Sequence, residues 1–225
     1  MAKQFLRLAW HGPGQSKKIC KKIVRVEGLE YLEEAVSANK GLLLLVPHQG
    51  NWEILTSFFS QHMFVTWMYK PHKISLLDRY IFNTRKRANI GLAPANQRGV
   101  SMIFKELKDN GTVAILPDQV PDDKGGVYAD VFGKTALTGK LVSKIAAKTN
   151  CSLLCCYTKR LTNGHYCVVI EPANESIRHN DPIVAATAIN QSVEMCIANS
   201  PEQYQWSYKR FRQPPNGADD IYKKR

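Results

Sequence analysis

Two hydrophobic periods alternate along most of the chain. Over 28–40, Leu29, Leu32, Ala35 and Val36 share one face of a helical repeat. The run Leu42-Leu43-Leu44-Leu45-Val46 follows, and it has the length and bulk of a buried strand. The same reading predicts helices over 51–61, 74–87, 100–108, 137–148 and 182–198, and strands over 64–68, 113–116, 152–157 and 166–171. The helix at 74–87 closes on a basic turn, which suits its dipole. Asn110-Gly111 ends the one before 113, and Asp181 is placed to cap the last. A long loop is expected over 117–134, where prolines and glycines gather near 121–126. Asn163-Gly164 marks a hairpin between the last two strands. Strands alternating with helices of this length predict an α/β fold. The expectation is a single domain with a central sheet flanked by helices, and the terminal hairpin makes that sheet mixed.

Length and composition narrow this picture. The 225 residues are enough for one domain with a substantial core. With 44% hydrophobic and 22% charged residues, the chain is neither disordered nor collagen-like nor a disulfide-stapled scaffold. A net charge of +12 favours an anionic partner: nucleic acid, phospholipid, phosphorylated glycolipid or an acidic carrier protein. Charge does not choose among these, but the aromatic-basic strand motifs and Gly-x-x-Gly clamp of RNA readers are missing, so nucleic acid is not expected. The six cysteines form no Cys-x-x-Cys pair and read as reduced, mostly buried thiols. No His or Cys pair has zinc-ligand spacing, so no metal is expected. No run approaches the ~20 apolar residues of a membrane span, and the N-terminus lacks a signal-peptide pattern.

Residues 1–22 form a basic amphipathic segment. Phe5, Leu6, Leu8 and Trp10 stand against Lys3 and Arg7, and four lysines crowd 17–22. Such a segment is either a solvated helix face or connector, or an element that rests on a membrane with its aromatics inserted.

The densest chemistry lies at 48–53. A buried strand runs into His48-Gln49-Gly50-Asn51-Trp52-Glu53, and ligand sites in open α/β sheets collect at the carboxyl ends of strands. Asn51 reads as the N-cap of the next helix, with Glu53 in its first turn, where the dipole favours a carboxylate. The five-residue span lets Glu53 reach the His48 ring, fix its tautomer and leave the other nitrogen as a general base. The alternative is a hydrogen-bonded strand-end histidine beside an unrelated first-turn acid. Asp118 and Gln119 follow the strand at 113–116 and belong to the same sheet edge, either as site residues or as turn residues. Arg85, with Lys86 and Arg87, forms a basic helix end that suits a phosphate or carboxylate, or else a solvated face.

Five ordered segments are more specific than any one of these. They are Val26-Glu27-Gly28-Leu29-Glu30, His48 to Glu53, Leu116-Pro117-Asp118-Gln119, residues 131–138, and Pro201-Glu202-Gln203-Tyr204-Gln205-Trp206. Lys209-Arg210-Phe211-Arg212 and Pro214-Pro215 follow the last. In kind and order they resemble the bacterial lipid A biosynthesis (lauroyl/myristoyl) acyltransferases, within the wider glycerolipid acyltransferase group that shares a His-x4-Asp/Glu dyad. The resemblance covers roughly 23–215, most of the chain, which sets the expected acyltransferase domain between the segment 1–22 and a basic tail at 216–225.

The resemblance implies a reaction. An acyl-carrier-protein thioester donates its chain to a hydroxyl of a lipid A precursor at the cytoplasmic face of the inner membrane. His48 matches the base and Glu53 the dyad acid, with no covalent acyl-enzyme and no cofactor beyond the thioester co-substrate. Arg85 falls where the family holds its phosphorylated acceptor, Asp118 and Gln119 match an Asp-Gln pair lining the site, and Asn51 and Arg98 occupy further family positions assigned to substrate binding. The partners implied are the carrier protein, an anionic glycolipid and the membrane surface. Another phospholipid, aminolipid or glycolipid acceptor stays open, as does an inactive lipid-binding relative. Members of the family usually begin with a membrane-spanning helix, and this chain starts close to where that region ends. Ser207-Tyr208 replaces a histidine common after the tryptophan, and Val131-Phe132-Gly133 replaces a double Phe before Gly.

Overall fold

A computed structural model describes residues 20–70, 90–216, 218 and 221–222. The helix expected over 74–87, with Arg85, lies outside the described residues, as do residues 1–19 and most of the tail. In chain order the elements are β1 (Ile23–Glu27), α1 (Leu29–Ser37), β2 (Leu42–Leu45), α2 (Glu53–His62), β3 (Val65–Tyr69), β4 (Gly91–Pro94), α3 (Gln97–Lys108), β5 (Thr112–Ile115), β6 (Gly126–Val131), β7 (Lys134–Gly139), α4 (Leu141–Thr149), β8 (Ser152–Arg160), β9 (Tyr166–Pro172) and α5 (Pro182–Ala198). Seven strands form one sheet in the order β1-β9-β8-β2-β5-β3-β4. From β8 to β4 every pair is parallel, while β9 runs antiparallel to β8 and β1 parallel to β9. The sheet is mixed, as the hairpin at Asn163-Gly164 predicts.

The unbroken leucines of β2 follow from its place in the middle of the sheet. Successive side chains point to opposite faces, and helices cover both. Leu43 and Leu45 pack with Ile103 of α3, Ile145 of α4 and Ile189 of α5. Leu42, Leu44 and Val46 pack with Leu32 of α1 and Leu55 and Phe59 of α2. Each fully buried leucine of this kind contributes about 1.5–3 kcal/mol of transfer free energy. The six cysteines are all buried. Asp181 caps α5 through its Oδ1, which accepts from the Ile183 N–H at 2.7 Å, and Pro182 opens the helix.

The structure departs from the sequence reading between 117 and 140. The expected loop and the start of the expected helix are an antiparallel ribbon, with β6 paired to β7 and α4 beginning only at Leu141. The two residues joining the strands, Phe132 and Gly133, both have positive φ, 49° and 73°. That is the geometry of a tight two-residue hairpin, but with Phe where Asn or Asp usually announces it. Two other strands escape the pattern. β1 carries exposed charge, and β4 is a short edge strand ending in Pro94, which an edge tolerates because no N–H is needed there.

Candidate active site

Parallel register builds the site. Leu45 of β2 is level with Ile115 of β5 and with Cys155 of β8. Three residues beyond each stand His48, Asp118 and Thr158, so three neighbouring strands deliver them to one height at the carboxyl edge of the sheet. Asp118 is buried, and its carboxylate grips His48 twice. Oδ2 accepts from the His48 backbone N–H at 2.9 Å, and Oδ1 lies 2.8 Å from the ring Nδ1. An ionised carboxylate only accepts, so Nδ1 carries the proton and, in the neutral ring, Nε2 presents its lone pair. The Gln119 side-chain amide meets Nε2 at 3.2 Å and donates to it in this tautomer. Trp52 meets the imidazole edge-on, with centroids 5.6 Å apart.

The loop after β2 is pinned by its backbone. Gly50 has a φ of 61°, and a Cβ there would stand 2.0 Å from the Thr158 carbonyl oxygen. The φ favours glycine, and the backbone contact requires it. The Asn51 N–H donates to Thr158 Oγ1 at 2.9 Å, and the Asn51 carbonyl accepts from the Ile54 N–H. Asn51 is not the helix cap: α2 starts after Trp52, with no side-chain cap bond. Glu53 does stand in the first turn, exposed. The carboxylate seated on Nδ1 is Asp118, and this corrects the expected pairing of the ring with Glu53.

His48 and Gln119 line a cavity of about 330 Å³ whose other walls are largely apolar, among them Trp52, Trp67, Ile90 and Leu116. Asp118 sits behind the histidine rather than in this cavity, so the structure places it as a support for the ring. Arg98 is exposed in the first turn of α3 and does not line the cavity. Arg85 lies outside the described residues. Among the described residues no three His, Cys, Asp or Glu side chains group as a metal site.

A model of the bacterial lipid A biosynthesis acyltransferases matches residues 7–213, nearly the whole chain. The chain belongs to that family. A lipid A biosynthesis acyltransferase of Haemophilus influenzae is 30% identical over 212 residues, which are 92% of this chain and 65% of the relative. Two Escherichia coli K12 proteins are similarly related. The lipid A biosynthesis lauroyltransferase is 25% identical and the palmitoleoyltransferase 27%, each over 96% of this chain and 69% of its own length. The chain thus spans about two thirds of these curated relatives.

In this lipid A acyltransferase family member, the two site loops are braced by a segment from far along the sequence, and spacing gave no sign of its role. The segment after α5 crosses both site loops. The Gly50 N–H donates to the Gln203 carbonyl at 2.9 Å, and the Gln205 N–H donates to the His48 carbonyl at 3.1 Å. Buried Gln49 donates through Nε2 to the Cys196 carbonyl at 2.9 Å and to Ser200 Oγ at 2.7 Å. On the other loop, the Val120 N–H donates to the Tyr208 hydroxyl at 2.8 Å, and the Tyr204 hydroxyl donates to Asp118 Oδ2 at 3.1 Å. Arg210, from the basic motif, is buried rather than offered to a substrate. Its guanidinium donates to the Leu137 carbonyl at 2.7 Å and to Thr138 Oγ1 at 2.8 Å, tying the ribbon to the segment. Burial lowers its pKa.

Proposed function

We propose that this chain moves a fatty acyl group from an acyl-carrier-protein thioester to a hydroxyl of a lipid A precursor, with His48 as general base. The observation that carries the reading is the His48 ring itself, held at Nδ1 by Asp118 beside a largely apolar cavity. The acceptor hydroxyl replaces Gln119 at Nε2 and gives up its proton as its oxygen attacks the thioester carbonyl carbon. The carbon–sulfur bond then breaks, and the imidazolium returns the proton to the leaving thiolate. Asp118 keeps the productive tautomer and stabilises the imidazolium between these steps. The proton ends on the thiol, the acyl group on the acceptor oxygen, and no acyl-enzyme forms.

Membrane contact and an anionic acceptor fit the surface. Among the described residues no helix is long and apolar enough to cross a membrane. Phe132 (47% exposed) and Trp206 (57%) stand 6.3 Å apart, and Trp206 packs against Tyr204, whose hydroxyl reaches Asp118. Lys209 and Arg212, both exposed, follow Trp206 in the sequence. Exposed aromatics with cations close in sequence suit an anionic lipid surface at the edge that carries the site.

The test is acyl transfer from acyl carrier protein to a purified lipid A precursor, wild type beside His48→Ala, with circular dichroism to confirm folding. Turnover in the wild type and its loss in the variant is the expected result. Full activity in the variant ends the mechanism. A folded but inactive wild type, with donors varied, overturns the substrate assignment.

A further inference from the structure

The role of Pro201–Trp206, singled out in the sequence but absorbed by no chemistry there, is open to inference from its contacts. We infer that Tyr204 is a positioning residue, whose hydroxyl holds the Asp118 carboxylate in the orientation that serves His48. This rests on the reading of His48 as the base.

The geometry is specific. Asp118 Oδ2 takes two donors, the His48 N–H at 2.9 Å and the Tyr204 hydroxyl at 3.1 Å, and Oδ1 is thereby aimed at Nδ1. Tyr204 is itself fixed. Residue 204 bridges residue 49 in antiparallel fashion, and its ring meets Trp206 edge-on at 4.9 Å. Burial and the Asp118 charge push its hydroxyl pKa upward, so it remains a donor through the neutral range. The titratable and charged groups acting on Tyr204 are Asp118, Arg210 and Tyr208. The hydrogen bond takes up part of the carboxylate's charge. Without it, Asp118 is held by the His48 N–H alone, so its orientation loosens, and the charge the hydroxyl had taken up is directed to the imidazole, which makes the ring more basic.

The experiment is a pH–rate profile of Tyr204→Phe beside wild type and His48→Ala. The expected result is a kcat lower by about 10-fold, on the scale of a hydrogen bond to a charged group, with KM unchanged and the acid limb of kcat/KM moved to higher pH. A fixed limb, or a change confined to KM, reduces Tyr204 to packing or substrate binding and overturns the inference. If Tyr204→Phe does not fold, 3-fluorotyrosine placed at 204 keeps the ring and donates more strongly, so the limb moves to lower pH; a fixed limb there is equally fatal. Failure of the underlying reading is distinct, because it shows as activity in His48→Ala.

Discussion

The loop after β5 and the first turn of α2 each offer a carboxylate near His48, and the protein treats the two in opposite ways. Asp118 is buried and is engaged by the His48 N–H, the His48 ring and the Tyr204 hydroxyl. Glu53 is exposed and owes its place to a helix start five residues beyond the histidine. Sequence proximity favours Glu53, but strand adjacency favours Asp118. β2 and β5 are hydrogen-bonded neighbours in register, so a residue 70 positions away lands level with the imidazole, while the nearer acid belongs to the first turn of α2. The partner of a strand-end base is chosen by which strand lies beside it.

The sharpest way to break this comparison is to neutralise each acid without changing its shape. Asp118→Asn leaves an amide whose N–H clashes with a donor on His48, so the ring turns or takes the wrong tautomer. Turnover should fall by about 10²–10⁴-fold, the scale of general acid–base catalysis. Glu53→Gln should cost less, since its carboxylate is not the one seated on Nδ1. Steady-state acyl transfer by the two variants decides the matter. Equal losses, or a larger loss from Glu53→Gln, would return the dyad to its sequence-based form.

The next contrast is between two glycines with left-handed backbones. Gly50, in the site loop, has φ 61° and the Thr158 carbonyl oxygen 2.0 Å from where a Cβ would go. Gly133, at the tip of the ribbon, has φ 73° with nothing within 4 Å. Alanine at 133 carries backbone strain alone, about 1–2 kcal/mol. Alanine at 50 adds a clash with backbone that cannot yield, so the loop must move. Thermal unfolding should show Gly50→Ala losing several degrees more than Gly133→Ala, at roughly 2–4 °C per kcal/mol for a chain of this size. Equal shifts would mean that the site loop is softer than its hydrogen bonds to Gln203 and Thr158 imply.

These contrasts show where the sequence was legible. Local signals were faithful: the leucine run of β2, the Asn163-Gly164 hairpin and the Asp181 cap all stand where the pattern put them. Signals hidden by context were not. The β6–β7 ribbon turns on Phe132, a residue that announces no turn, and its short alternation was read as loop and helix. For the site, the position of His48 and the shared edge of Asp118 and Gln119 were readable, because both follow buried strands. The grip of Asp118 on the ring was not, because it depends on the β2–β5 register. Tyr204 was further out of reach, since its place depends on a segment that returns across the edge after the whole sheet is built.

The smallest effect comes from the far end of α2, and it guards the interpretation of any pH profile. His62 occupies the last turn, half-buried, with its ring 4.7 Å from that of Phe58. A helix C-terminus favours a protonated imidazole, but here burial wins and holds the pKa below the ordinary imidazole value of 6.5. The sign follows from proton counts. As pH falls through 6.5, the unfolded chain protonates this site before the native one does, so stability present above that pH is lost below it, at no more than about 1.4 kcal/mol per pH unit. Thermal unfolding should therefore show Tm declining from pH 7 to pH 5, and His62→Gln should flatten that decline. Activity measured well below Tm should keep its acid limb in the same variant, because the proposed base, His48, precedes the opposite end of α2. If His62→Gln moves the activity limb as well, the limb reports unfolding, and the pH evidence for the Asp118–His48 pair falls with it.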